Sequence, residues 1–160
     1  MMKSYELSII DEPDQLDTQP ILDGLYRFGV EAIGGQEPRK TAILLKDTSG
    51  KVIGGATGDT VLGNFYLTHL WVEDDERSKG HGSRILTAIE NKVFGDECRE
   101  IRLETLNVKA VPFYIRHEYE VFARVPEYIP GFDKVLFRKM NKKFNKAIDT
   151  DAFGAGQQGR

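Results

Sequence analysis

The stretch Leu70-Trp71-Val72-Glu73-Asp74-Asp75-Glu76-Arg77-Ser78-Lys79-Gly80-His81-Gly82-Ser83-Arg84 decides the reading of this chain. Its three opening apolar residues close a strand-like run. Ile85, Leu86, Ile89 and Val93 then fall on one face of a helix beginning near Gly82. Between strand and helix, glycines at 80 and 82 let the backbone turn tightly and let a ligand approach the amides. The unpaired N–H groups of a new helix form an anion site. Arg77, Lys79 and Arg84 are placed to add charge-assisted contacts. The spacing fits neither G-x-x-x-x-G-K-[ST] nor G-x-G-x-x-G. The acidic run at 73–76 reads as a solvated face, because no histidine flanks it at metal-ligand spacing.

Upstream, residues 40–72 resemble an antiparallel meander. Residues 40–46 form a short apolar strand, Asp47-Thr48-Ser49-Gly50 is turn chemistry, residues 51–53 resume a strand, and 64–72 form another. Further upstream, Tyr5-Glu6-Leu7-Ser8-Ile9-Ile10 reads as a first strand ended by Pro13. Leu16, Ile21, Leu22, Leu25, Phe28, Val30 and Ile33 are loosely helical, as one long helix or two short ones, with Gly34-Gly35 as the end. Downstream, 100–106 is a strand with Ile101, Leu103 and Thr105 on one face. A helix follows over 108–117, with Pro112 in its first turn. Residues 119–125 and 134–140 are two closing strands, joined through Pro126, Pro130 and Gly131. The fold class is α/β: antiparallel strands first, then a crossover helix into a mixed sheet. Residues 1–141 read as one domain and 142–160 as a flexible tail.

With 160 residues the chain buries enough surface to need no disulfide or metal staple. Cys98 is its only cysteine, which fits a reducing, cytoplasmic setting and an inert thiol. No metal site is expected from His69, His81, His117 and Cys98. The net charge of -3 offers no general attraction to nucleic acid or membrane, and no apolar run reaches spanning length. Met1-Met2-Lys3-Ser4-Tyr5 lacks the apolar core of a secretory signal.

Two motifs together resemble the GCN5-related N-acetyltransferase (GNAT) superfamily, in its small stand-alone bacterial form. Arg77-Ser78-Lys79-Gly80-His81-Gly82 matches the family's Arg/Gln-x-x-Gly-x-Gly/Ala. Asn107-Val108-Lys109-Ala110-Val111-Pro112-Phe113-Tyr114 matches its Asn-x-x-Ala-x-x-Phe/Leu-Tyr. One helix and one strand separate them, as the family requires, and the resemblance covers roughly residues 3–140. Where the family has Gly-Phe or Gly-Tyr after the second motif, Glu118-Tyr119 stands here.

The resemblance implies a mostly antiparallel sheet whose two central parallel strands splay apart. It implies acetyl-CoA as acyl donor, with no metal. Leu70, Trp71 and Val72 would meet the pantetheine arm. Arg77, Ser78, Lys79, Gly80, His81, Gly82 and Ser83 would meet the pyrophosphate, and Asn107, Phe113 and Tyr114 would complete the cofactor site. Tyr114 is the implied general acid; Asn107 alternatively serves as a simple helix N-cap. His69 and Glu104, with Glu73, are the candidate bases. His69 and Leu70 share a sheet face only if a bulge intervenes. Tyr26, Glu31, Asn64, Tyr66 and the segment 127–132, with Tyr128 and Phe132, are the candidate acceptor walls. The implied reaction acetylates the primary amine of a small-molecule or amino-acid-like acceptor. The alternatives are a noncatalytic acyl-CoA sensor and an acetyltransferase of protein N-termini or lysines. Pairing into a homodimer through the sheet edge is compatible with the resemblance.

Overall fold

The computed structural model describes residues 5–33 and 38–144. The chain divides into two compact units at residue 37.

In the first unit, Gln15–Ile33 is one helix, α1. Asp14 Oδ1 accepts from the Asp17 amide at 2.9 Å, and Asp17 Oδ2 accepts from the Asp14 amide at 3.1 Å. This reciprocal cap satisfies two orphan donors at the helix start. Pro20 removes one ladder donor inside the helix without ending it. Residues 5–10 are not a strand, contrary to the expectation from their alternation. Alternation supplies a face, but a strand also needs a ladder partner, and the sheet's six strands all come from residue 39 onward. The expected stop at Gly34-Gly35 lies outside the described residues.

The second unit holds the sheet. Its strands are β1 (Arg39–Lys46), β2 (Val52–Val61), β3 (Asn64–Val72), β4 (Glu100–Thr105), β5 (Glu120–Ile129) and β6 (Phe132–Met140), in the spatial order β1-β2-β3-β4-β6-β5. All neighbours are antiparallel except β3 and β4. The meander of 40–72 is therefore β1-β2-β3. Asp47 closes its first turn by accepting from Ser49 and Lys51 amides at 2.8 and 3.0 Å. Pro126 lies within β5 rather than in the connection. The edge position of β5 is what tolerates a residue with no ladder donor.

The helix α2 (His81–Gly95) buries Ile85, Leu86, Ile89 and Val93 against Ala56, Phe65, Ile101, Leu103, Val135 and Phe137 of the sheet. Each such side chain contributes about 1.5–3 kcal/mol on burial, so α2 is held by packing more than by helix propensity. The crossover from β3 through α2 makes β4 parallel to β3. The expected helix over 108–117 is instead a 3-10 turn, Val108–Ala110, followed by the short helix α3, Val111–Arg116. Pro112 sits in the first turn of α3, where its missing donor is not needed. Among the described residues no helix is long and apolar enough to cross a membrane. The expected tail begins with a turn at 142–144; residues 145–160 lie outside the described residues.

Candidate active site

The parallel register of β3 and β4 holds at only three pairs: Asn64 with Glu100, Phe65 with Ile101, and Tyr66 with Arg102. Beyond these pairs the two strands no longer bond to each other, so they splay as the resemblance implied. An open cleft of about 460 Å3 lies along the splay, lined by Tyr66, Thr68, Arg102, Glu104, Phe122 and Leu136 among others. Apolar Ile101 and Leu103 face the core, so Arg102 and Glu104 point the other way, into the cleft.

A bulge in β3 aims its second half. Gly58 of β2 opposes Leu67 and Thr57 opposes His69, which leaves Thr68 unpaired. The extra residue shifts the core-facing parity from Phe65 and Leu67 to Leu70 and Val72. It falls one residue too early to bring His69 and Leu70 onto one face. Leu70 packs on the core, and His69 stays exposed, its Nδ1 2.9 Å from Thr57 Oγ1. His69 lines a neighbouring groove with Lys40, Thr57 and Asp59, not the splay cleft. Gly58 permits the close approach at the bulge: a Cβ there would stand 2.2 Å from the Tyr66 carbonyl oxygen and 2.5 Å from the Phe65 ring.

Glu104 lies in the cleft, and its carboxylate is 2.8 Å from Lys134 Nζ, which sits 3.9 Å over the Tyr128 ring. Trp71 is half exposed, while Leu70 and Val72 flank it against the core. Of the expected acceptor walls, Tyr66 is in the cleft, and Asn64, Tyr128 and Phe132 are not among its lining residues. Tyr26 and Glu31 belong to the other unit. Phe122 and Leu136 are lining residues that sequence reasoning missed. The bulge between Val121 and Ala123 hides Phe122 from any alternation count. Leu136 reads as core by composition alone.

The loop between β3 and α2 opens with a 3-10 turn, Asp74–Glu76. Ser78 and Gly80 both take left-handed backbone, at φ 61° and 83°, and Gly80 is the N-cap of α2, with no side chain capping the helix. The first-turn amides of α2 are therefore presented to the loop rather than to a cap. Gly82 is not required by the protein's own packing. Its φ is ordinary, and a Cβ there would meet only the Phe113 ring at 3.6 Å, ordinary contact. His81 Nδ1 is buried with no partner among the described residues. An uncapped helix start and a glycine with room beside it together suit an anionic group at this position.

The acidic run is exposed at Asp74 and Asp75 and partly exposed at Glu73 and Glu76, as its composition suggested, but three of its carboxylates are paired. Glu73 pairs with Lys51 at 2.7 Å, Asp74 with Arg77 at 2.6 Å, and Glu76 with both Lys79 at 3.1 Å and His81 at 3.3 Å. The turn folds Asp74 and Glu76 back onto the cations that follow them. Arg77 also donates from Nε to the Val72 carbonyl at 3.1 Å, and Arg84 is exposed on α2. Ser83 Oγ stands 2.9 Å from His117 Nε2, and the His117 ring lies 4.8 Å from that of Phe113. Ser83 thus ties the start of α2 to the end of α3.

Asn107 caps the second motif: its Oδ1 accepts from the Lys109 amide at 3.1 Å. The helix α3 then ends with a Schellman pair. The Tyr119 amide donates to the Tyr114 carbonyl at 3.1 Å, and the Glu118 amide donates to that of Ile115 at 3.0 Å. Glu118 takes the left-handed position at φ 64° that the family gives to glycine. Tyr114 is buried, 8 % exposed, between the rings of Phe113, Tyr119 and Phe137 at 5.2, 5.7 and 5.3 Å. Burial pushes its phenol up, so it stays protonated at neutral pH. Cys98 is buried beside Thr60 Oγ1. Among the described residues no three His, Cys, Asp or Glu side chains gather as metal ligands.

Comparison with known proteins agrees with this geometry. The Acetyltransferase (GNAT) family profile matches residues 6–119. A blasticidin-S acetyltransferase from Streptomyces morookaense is 32% identical over 93 residues, spanning 56% of this chain and 67% of the relative. An acetyltransferase from Agrobacterium fabrum is 25% identical over 109 residues, 68% of this chain and 80% of its own. Among solved structures, an acetyltransferase from Agrobacterium tumefaciens superposes with a TM-score of 0.78 at 21% identity, covering 85% of this chain and 99% of its own. One from Bacillus cereus gives 0.74 at 24%, with 83% and 97% covered. With the splayed strands, the uncapped helix start and both motifs in order, the chain belongs to the GNAT family of acetyl-CoA-dependent acetyltransferases.

Proposed function

We propose that this protein transfers the acetyl group of acetyl-CoA to the primary amine of a small-molecule or amino-acid-like acceptor. The observation that carries the acceptor class is the splay cleft. Its volume of about 460 Å3 lies in the range of small-ligand sites. Its walls combine Tyr66 and Phe122 with the carboxylate of Glu104. The relative named for acetylating blasticidin-S supports the same class.

In this reading the pyrophosphate is held by the first-turn amides of α2, from His81, Gly82 and Ser83, with Ser78, Gly80, Arg77 and Lys79 shaping and charging the loop. Leu70, Trp71 and Val72 border the pantetheine arm beyond the last β3–β4 pair. Asn107 fixes the turn that leads to Phe113 and Tyr114. Glu104, in the cleft, takes the ammonium proton of the acceptor, and Lys134 Nζ, 2.8 Å away, orients that carboxylate. His69 is the weaker base candidate, because it faces the adjoining groove. Tyr114, held protonated by burial, returns a proton to the departing thiolate sulfur. The net change breaks the thioester C–S bond and forms the amide C–N bond; of the two protons that the ammonium loses, one makes good the proton that Tyr114 gives to sulfur and the other leaves Glu104 for solvent.

A panel of primary amines incubated with acetyl-CoA, with release of free CoA thiol as the readout, tests this directly. Turnover with small amines is expected. Tyr114→Phe should lower kcat by roughly 10²-fold or more with cofactor affinity retained. Tight acetyl-CoA binding with no turnover across the panel, peptides included, would replace the enzyme reading with a sensor. Turnover confined to peptide N-termini or lysines would move the acceptor to protein.

A further inference from the structure

The cations of the phosphate loop are already engaged, and by one short segment. Arg77 Nη2 lies 2.6 Å from Asp74 Oδ1, Lys79 Nζ 3.1 Å from Glu76 Oε1, and His81 Nε2 3.3 Å from Glu76 Oε2. Glu76 thus divides its two oxygens between the residues on either side of Gly80. A carboxylate offers a cation the same kind of anionic oxygens that a phosphate does. The hydrogen bond from Lys79 holds Glu76 below its ordinary value, so it is ionised at neutral pH.

The geometry points to Asp74 and Glu76 as an internal competitor for the cofactor's phosphates. In the free protein their carboxylates occupy Arg77, Lys79 and His81. They yield these groups when a phosphorylated ligand seats at the start of α2. This rests on the acyl-CoA reading of the loop and adds what sets its affinity. The pairs are exposed, with Asp74 81% and Arg77 57% accessible, so displacing them is easy for a ligand carrying several phosphate charges and hard for one carrying none. The exchange also swaps one set of ion pairs for another inside the protein. Cofactor binding should therefore depend less on salt than two free cations, Arg77 and Lys79, would make it.

Glu73 provides the control. It carries the same charge in the same run, but its carboxylate is bonded to Lys51, outside the loop. Isothermal titration with coenzyme A would compare the wild type, Glu76→Gln, the pair Asp74→Asn with Glu76→Gln, and Glu73→Gln, at about 20 mM and about 300 mM NaCl. Unchanged melting temperatures confirm that each variant is folded. The double variant should bind roughly three- to tenfold tighter at low salt, with the gain shrinking at high salt. Glu76→Gln alone should show part of the gain, and Glu73→Gln should stay within about twofold of wild type. Equal or weaker binding by the folded double variant would overturn the competitor role. So would an equal gain from Glu73→Gln, since only the general field would then be acting. A wild type that takes up no coenzyme A would instead refute the acyl-CoA reading itself.

Discussion

Replacing Glu118 by glycine should stabilise this protein. Glu118 closes α3 at φ 64°, a conformation that costs a residue with a Cβ about 1–2 kcal/mol. Glycine removes that cost and gives back roughly 0.5–1 kcal/mol through the greater freedom of the unfolded chain. The side chain also contributes little where it stands: its carboxylate is 3.5 Å from a Lys142 that is 83% exposed and 4.0 Å from Lys139. Pairs of that kind are worth about 0–0.5 kcal/mol each. The balance is a gain of about 0.5 kcal/mol, or about 1–2 °C in Tm for a domain of this size. Urea denaturation with fixed slope gives the free energy, and thermal unfolding gives the Tm. Glu118→Ala is the essential comparison, because it loses the same ion pairs and keeps the strained φ; it should be about 0.5–1 kcal/mol less stable than Glu118→Gly. If the alanine and glycine variants were equally stable, backbone strain at the end of α3 would not be the operative cost, and the explanation of this departure from the family pattern would fail.

Gly58→Ala should destabilise strongly, by about 3 kcal/mol or more, because its Cβ would meet the Tyr66 carbonyl at 2.2 Å and backbone cannot step aside as a side chain can; a loss under about 1 kcal/mol in urea would contradict the bulge geometry. Gly82→Trp should leave the fold intact, since position 82 has room for a Cβ, while abolishing acetyl-CoA binding by calorimetry; unchanged affinity in the folded variant would remove the loop from the cofactor site. Acid should weaken the fold through Asp47, Glu76 and Asp96, which hydrogen bonds from Ser49, Lys79 and Lys92 hold below their ordinary 3.8, 4.5 and 3.8. A depressed carboxyl contributes above its unfolded value and loses that contribution as pH falls through its folded value. Stability should therefore be flat from neutrality to about pH 5 and fall below about pH 4, with Asp47→Asn, Glu76→Gln and Asp96→Asn together flattening the fall in a urea series against pH.

The two motifs were readable because each is local. A strand end, two glycines and a helix face within fifteen consecutive positions define an anion-ready turn, and the backbone carries out what that spacing requires: Gly80 is left-handed and the helix begins at His81. Asn107 capping its own turn and Pro112 in a first turn are local in the same way. The crossover helix and its four buried apolar residues followed from helical periodicity.

What the sequence left open depends on turn geometry and strand pairing that spacing alone does not fix. Residues 5–10 have strand-like alternation, yet no ladder forms there. Residues 73–76 are the exposed acidic run that their composition suggested, but only the 3-10 turn shows that Asp74 and Glu76 fold back onto Arg77, Lys79 and His81. The extra residue at Thr68 resets which side chains of β3 face the core, and only pairing with β2 reveals it. Thus His69, a plausible base by position, is turned to the neighbouring groove, while Glu104 reaches the cleft only because β3 and β4 stop pairing after Tyr66 and Arg102. Chemistry set by neighbours a few residues apart is written in the sequence. The register between strands and the bulges within it, which decide where a side chain points, are set by the pairing and packing of the folded sheet.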